Sequence, residues 1–309
     1  ATLVVQGDLD VGTMMSANIL AARALLPISK FSQLATTFAK ARQALDLVLE
    51  FDSMPEELDS GAKMAQYKGG LELRDLAFSF TKDSTPLFES IDLKLSPGSV
   101  LVVTGSNGSG KTTVARLLSG LLDPTRGQVL VDGMDLQQVS THWWRRQITY
   151  LPQEPALINA TIEENLRINN PEMTKEQLDL IIGASNLKKF LDESKDGLDT
   201  VILQNGWRLS EGIRRRIALA RALATHGKLV IIDEPTESFD ADGCAAVRRI
   251  LGSMVKQGST VIIMTHDINS VTGPHTLLDL NEKPKPKITK IMGRNPEGTQ
   301  VLEKTVKGK

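Results

Sequence analysis

Gly105-Ser106-Asn107-Gly108-Ser109-Gly110-Lys111-Thr112 is the segment that most restricts how this chain can fold. It follows an apolar, β-branched run, Val100–Thr104, and leads into Lys111–Leu122, whose apolar spacing is helical. A strand that turns through glycines into a helix aims successive backbone N–H groups at one anion, and the helix adds the positive end of its dipole. The spacing G-x-x-x-x-G-K-[ST] also supplies a mobile lysine for outer phosphates and a hydroxyl, Thr112, for Mg²⁺. An idle Gly-rich turn would need neither the lysine nor the hydroxyl. Further apolar runs at Gln128–Val131, Lys228–Ile232 and Ser259–Met264 fit buried strands of an α/β sheet. Shorter strand-like runs, Leu71–Leu73, Leu76–Phe80 and Ile91–Leu95, precede the loop.

A second element carries the complementary chemistry. Leu229-Val230-Ile231-Ile232 makes a buried strand that ends in Asp233-Glu234, about 120 residues after the loop. At such a strand end Asp233 would hold Mg²⁺ and Glu234 would polarise an attacking water. His266 follows a third strand, Val261–Met264, where it would reach the outermost phosphate or that water.

Composition bounds the rest. The 309 residues suffice for two domains, and the formal net charge of -1 argues against a strongly basic nucleic-acid binder. One cysteine, Cys244, leaves no internal disulfide, and four histidines make a histidine-rich metal centre improbable. The first fifty residues differ in texture. Between Asp10 and Lys30 the only charge is Arg23, and Met14–Leu26 is rich in Ala, Leu, Met and Ile. About 20 apolar residues would cross a membrane, but Ser16, Asn18, Arg23 and Pro27 interrupt this run. On its own it reads equally as a span or as a buried soluble helix. Helical spacing continues through Phe31, Leu34, Phe38, Ala41, Leu45 and Val48, so one helix from about Val11 to Glu50, bent at Pro27, is expected. Residues 52–69 read as a linker, and 281–309, with eight basic residues against three acidic ones and several prolines, as a loosely ordered tail.

Six motifs in order over residues 70–280 resemble the nucleotide-binding domain of ATP-binding cassette exporters. Phe80 stands where that family stacks adenine. Gly105–Thr112 is its phosphate loop, with Thr113 following. Gln153, in Tyr150-Leu151-Pro152-Gln153, matches the glutamine that binds Mg²⁺ and senses the membrane domain. Leu209-Ser210-Glu211-Gly212-Ile213 falls at the signature motif. Asp233-Glu234-Pro235-Thr236 with Phe239-Asp240, and then His266, complete the set. The resemblance implies a P-loop NTPase core sheet with an antiparallel β subdomain and a helical signature subdomain, preceded by a membrane helix. It implies ATP and Mg²⁺ as ligands, with Lys111, Glu234 and His266 catalytic. Gly105, Ser106, Asn107, Gly108, Ser109, Gly110, Lys111, Thr112, Thr113, Phe80, Gln153, Ser210 and Gly212 would bind nucleotide, and Thr112, Gln153 and Asp233 the metal. Gly7-Asp8-Leu9 and Arg23-Ala24-Leu25-Leu26-Pro27-Ile28 look like the last membrane helix of the type I secretion branch, which makes 1–51 the end of a membrane domain. The implied partners are a second half-transporter, the remaining membrane helices and secretion accessory proteins, with no nucleic acid. The implied place is a bacterial inner membrane, the nucleotide domain facing the cytoplasm.

Three departures qualify the resemblance. The family's Leu-Ser-Gly-Gly-Gln becomes Leu-Ser-Glu-Gly-Ile, with Glu211 and Ile213. Gln204 and Leu203 replace a Glu and a Gly in the loop before it, and the Gly-rich turn beyond His266 is missing. A carboxylate beside a polyphosphate repels it, and a side chain at 211 restricts close backbone approach. Two dimers stay open, one of identical chains and one with a partner whose signature is intact. A nucleotide-binding regulatory subunit with little turnover is the alternative function. Soluble repair or ribosomal ATPases of the same family carry paired cassettes or a long coiled coil, and this chain has one phosphate loop. Arg214, Arg215 and Arg216 read as a solvated helix face, and Leu117, Leu118 and Leu121 as packing of the helix after the loop against the sheet.

Overall fold

A computed structural model describes residues 10–53, 61–81, 85–235, 239, 241–268, 271, 273–294 and 300–303. The chain divides into two compact units, 1–58 and 59–309. The Gly7-Asp8-Leu9 turn, Thr236 and Asp240 lie outside the described residues.

Among the described residues the first unit forms one helix, α1 (Val11–Asp52), capped by the Asp10 carboxylate, which accepts from Gly12 N–H at 3.0 Å. Pro27 sits inside it without ending it. Large apolar side chains are exposed along its length, Leu20, Leu26, Phe31 and Phe38 among them. Such a helix needs a covering of protein or lipid. It is long and apolar enough to cross a membrane.

The described residues of the second unit form two sheets. The four-stranded antiparallel sheet has the order β2-β1-β4-β5, from β1 (Leu71–Phe78), β2 (Phe88–Leu95), β4 (Arg126–Val131) and β5 (Met134–Asp135). The second sheet has the order β11-β10-β9-β3-β8-β7-β6. Its parallel part comprises β3 (Val100–Thr104), β6 (Ile148–Leu151), β7 (Leu229–Asp233), β8 (Thr260–Met264) and β9 (His275–Asp279). β10 (Lys287–Arg294) and β11 (Gln300–Glu303) extend it antiparallel.

The parallel strands read as unbroken apolar runs because both faces are covered. Leu229 and Ile231 of β7 enter one core with Ile262 and Met264 of β8, the antiparallel sheet and α2 (Lys111–Leu118). The alternate residues Val230, Ile232, Val261 and Ile263 enter a second core. That second core is formed with α4 (Ile162–Arg167), α5 (Lys175–Ala184), α7 (Glu211–Leu223) and α8 (Ala241–Lys256), while the short helices α3 (Thr141–Arg145) and α6 (Lys188–Glu193) complete the unit. Two capping boxes, Thr161 with Glu164 and Thr174 with Gln177, start α4 and α5.

Several expectations change here. The helix after the phosphate loop ends at Leu118, so Leu117 and Leu118 are buried while Leu121 is 52% exposed. Residues 61–69, read as linker, belong to the second unit, where the buried Tyr67 ring meets Trp144 edge-on at 5.0 Å. The tail is ordered at Lys287–Arg294, which pairs with β9 despite its charge. Lys287 and Lys290 are exposed on a strand paired on both sides, by β9 and β11, and composition alone hid it.

Candidate functional site: a phosphate loop with its carboxylates

The phosphate loop links β3 to α2. Gly110 ends it in a left-handed conformation, φ 113°, at the N-cap of α2, and a Cβ there would come within 2.8 Å of Leu87. At Gly105 an added Cβ would collide with Ser109 Oγ. Both positions therefore need glycine for the loop to close. Lys111 is 9% exposed, and its Nζ donates to Gly105 O at 2.8 Å, which holds the charge inside the curl of the loop. A cavity of about 400 Å³ opens here, lined by Phe80, Leu87, Asn107, Gly108, Gly110, Lys111, Thr112, Thr113 and Gln153. Phe80 is exposed at its mouth and leans edge-on against Phe78, ring centres 5.1 Å apart.

Strand order brings the carboxylates to the loop. β8 lies between β3 and β7, so the C-terminal ends of all three reach one edge of the sheet. Thr112 Oγ1 donates to Asp233 Oδ2 at 3.1 Å across 121 residues of sequence. Asp233 is buried, and burial pushes its carboxyl above the ordinary value, with the Thr112 hydrogen bond opposing the shift. Its other oxygen, Oδ1, is buried with no hydrogen-bond partner. An unpartnered carboxylate oxygen beside a threonine hydroxyl is a hard-oxygen donor set that suits Mg²⁺. Among the described residues no group of three or more His, Cys, Asp or Glu forms another metal site.

Glu234 is the centre of a second network. Thr265 Oγ1 donates to Oε2 at 3.2 Å, and His266 N–H donates to Oε1 at 3.2 Å. His266 Nδ1 lies 3.0 Å from the same oxygen. The hydrogen bond and the charge of Glu234 raise the imidazole pKa above its ordinary value. Glu234 itself is left-handed, φ 50°, a conformation that costs a non-glycine residue about 1–2 kcal/mol. Strain of this kind collects at functional positions.

The sequence-derived residues thus fall in two places. Phe80, the phosphate loop, Thr113 and Gln153 line or form the cavity, and Asp233, Glu234 and His266 stand at the adjoining strand ends. Ser210 and Gly212 stand apart at the start of α7, where Ser210 Oγ accepts from Ile213 N–H at 3.3 Å and caps the helix. Leu87, Thr265 and Arg215 were not foreseen. Leu87 carries no sequence signal, and Arg215 is 1% exposed where a solvated face was expected. The neighbouring Asn281, at the start of the tail, accepts from Ser106 N–H at 2.9 Å.

Comparison with known proteins agrees with this geometry. Residues 88–237 match the family described as ABC transporter. ABC transporter B family member 1 of Dictyostelium discoideum is 31% identical over 285 residues, 91% of this chain and 31% of that protein. Leukotoxin translocation ATP-binding protein LktB of Mannheimia haemolytica is 31% identical over 274 residues, 88% of this chain and 38% of its own length. The chain therefore spans about a third of the curated relatives it matches. The structure of a bacterial Atm1-family ABC exporter with ATP bound superposes with a TM-score of 0.68 at 22% identity, covering 89% of this chain and 48% of the other. Residues 88–237 are thus an ABC transporter nucleotide-binding domain, and the chain shares its fold with the exporter structure.

Proposed function

We propose that this chain hydrolyses ATP at the cytoplasmic end of a dimeric export transporter. The observation that carries the reading is the convergence of the Lys111 loop, the Thr112–Asp233 pair and the Glu234–Thr265–His266 network at one sheet edge. Lys111 acts electrostatically on both Asp233 and His266, so the three groups share one field.

In the proposed reaction the loop amides and Lys111 bind the β- and γ-phosphates, and Phe80 stacks on the base. Glu234 draws a proton from water as the water oxygen bonds to the γ-phosphorus. The bond to the β–γ bridging oxygen breaks, leaving ADP and phosphate. His266, fixed by Glu234, donates a hydrogen bond to the γ-phosphate. Thr112, Asp233 and Gln153 would hold Mg²⁺, which supplies positive charge against the phosphate oxygens.

At 1.5 Å per residue a helix of 42 residues is about 63 Å long, twice the roughly 30 Å of a bilayer core. Its N-terminal part would cross the membrane as the last span of a half-transporter. The Arg23–Ile28 run and the leukotoxin-translocating relative support peptide or protein export across a bacterial inner membrane, with secretion accessory proteins as further partners. A second half-transporter would supply the signature over this chain's nucleotide. Glu211 and Ile213 favour a partner with an intact signature over a second identical chain.

The same two residues support one rival, a regulatory subunit that binds nucleotide with little turnover. Glu234→Gln separates the readings. Hydrolysis by the wild type with phosphate release at least about a hundredfold slower in the variant, and ATP affinity retained, is the outcome for an enzyme. Equal, near-zero release from both proteins with nucleotide still bound is the outcome for a regulatory subunit.

A further inference from the structure

Arg215 sits in the second turn of α7, the helix that begins at Ser210 and Glu211, and it is 1% exposed. Its guanidinium donates to three backbone carbonyls, Gln153 O at 3.0 Å, Glu234 O at 3.2 Å and Asp233 O at 3.3 Å. One side chain thus joins the loop that carries Gln153 to the strand end that carries both carboxylates. The Glu234 N–H donates to Met264 O at 2.8 Å. The left-handed residue is therefore held on both sides, by β8 through its N–H and by Arg215 through its carbonyl. A planar fork of donors can serve several carbonyls at once, which a lysine ammonium on a flexible stem does poorly.

We infer that Arg215 is a positioning residue. It holds Glu234 in its left-handed conformation and keeps the Gln153 loop in register with it. Because α7 starts at the signature segment, Arg215 also links that segment to this chain's own carboxylates, so a shift of α7 is felt at Glu234. This inference rests on the hydrolytic role proposed for Glu234, but its geometry can be tested without hydrolysis.

The test compares the full wild-type chain with Arg215→Gln and Arg215→Ala by hydrogen–deuterium exchange, mant-ATP binding and phosphate release. In Arg215→Gln the amides of Gln153, Glu154 and Glu234 should exchange at least about tenfold faster, while 105–112 keep wild-type protection. The mant-ATP Kd should stay within about threefold, and kcat should fall at least about tenfold without a matching change in KM, as expected when a reacting group is misplaced. Arg215→Lys should recover part of that loss. Unchanged exchange and kcat in Arg215→Gln would overturn the inference, as would faster exchange spread evenly through α7 and its helical neighbours, the mark of a packing role alone. If Arg215→Ala fails to fold, the Arg215→Gln result decides. A wild-type chain that does not bind mant-ATP would remove the nucleotide reading, and the exchange comparison would still decide what Arg215 does.

Discussion

The phosphate-loop face and the signature segment are built from the same helix-end physics and differ in charge. At the loop, α2 is preceded by glycines and begins with Lys111, so the loop's own amides and charge favour an anion. At the signature, the start of α7 is capped by Ser210 but followed directly by Glu211. An acid in the first turn stabilises its own helix by about 0.3–1 kcal/mol through the dipole. The same carboxylate repels a phosphate oxygen 4 Å away by roughly 1 kcal/mol in water and by about four times that where water is thin. The loop face is arranged to hold a polyphosphate, whereas the signature gives up part of its attraction for local helix stability. Under the proposed function, one chain would present a complete half-site and a handicapped one, which a partner with an intact signature would balance.

The comparison breaks first at Lys111. Lys111→Ala should raise the Kd for mant-ATP at least about tenfold, because a charge-assisted contact to phosphate is lost. A neutral substitution at Glu211 should leave that Kd unchanged, since Glu211 faces no nucleotide bound by its own chain. Equal effects from the two variants would erase the distinction between the faces.

A smaller effect sharpens the loop side. Glu234 raises the His266 pKa mainly through their hydrogen bond, so in Glu234→Gln the ring should titrate closer to its ordinary value of 6.5, as followed by NMR of the imidazole protons. The folded pKa lies above the unfolded one. The pairing therefore stabilises the fold fully below the unfolded value and loses that contribution as pH rises through the folded value. The ring is largely exposed, so the contribution to stability is small. An unchanged titration would mean that the carboxylate and the ring do not meet in solution.

What the sequence made legible follows from how local each signal is. The phosphate loop, β3 and β7 are contiguous, and their residue types have few alternative uses, so they could be read directly. β10 could not, because its lysines and nearby prolines look like a solvated tail until β9 is there to pair with. Tyr67 was hidden in a glycine- and charge-rich stretch, and only its packing on Trp144 shows that the core begins there. Arg215 is the instructive miss. Three consecutive arginines on a helix have no visible acceptors in sequence, since the groups that receive Arg215 are backbone carbonyls from two distant segments. Side chains that recognise backbone leave no complementary residue to find. Leu87, beside Gly110, is hidden for a similar reason, because its role is to occupy space.

The account depends most on the claim that the Lys111–Glu234 half-site is competent and that the signature limits turnover. Phosphate release at saturating ATP tests this when wild-type chain is mixed with copies carrying Glu211→Gly, Ile213→Gln and Glu234→Gln. Those copies offer a repaired signature and no hydrolytic carboxylate of their own. The account predicts a rate at least about threefold above wild type alone, the result of removing a repulsion of roughly 1 kcal/mol. A rate equal to or below that of the wild-type chain would contradict it.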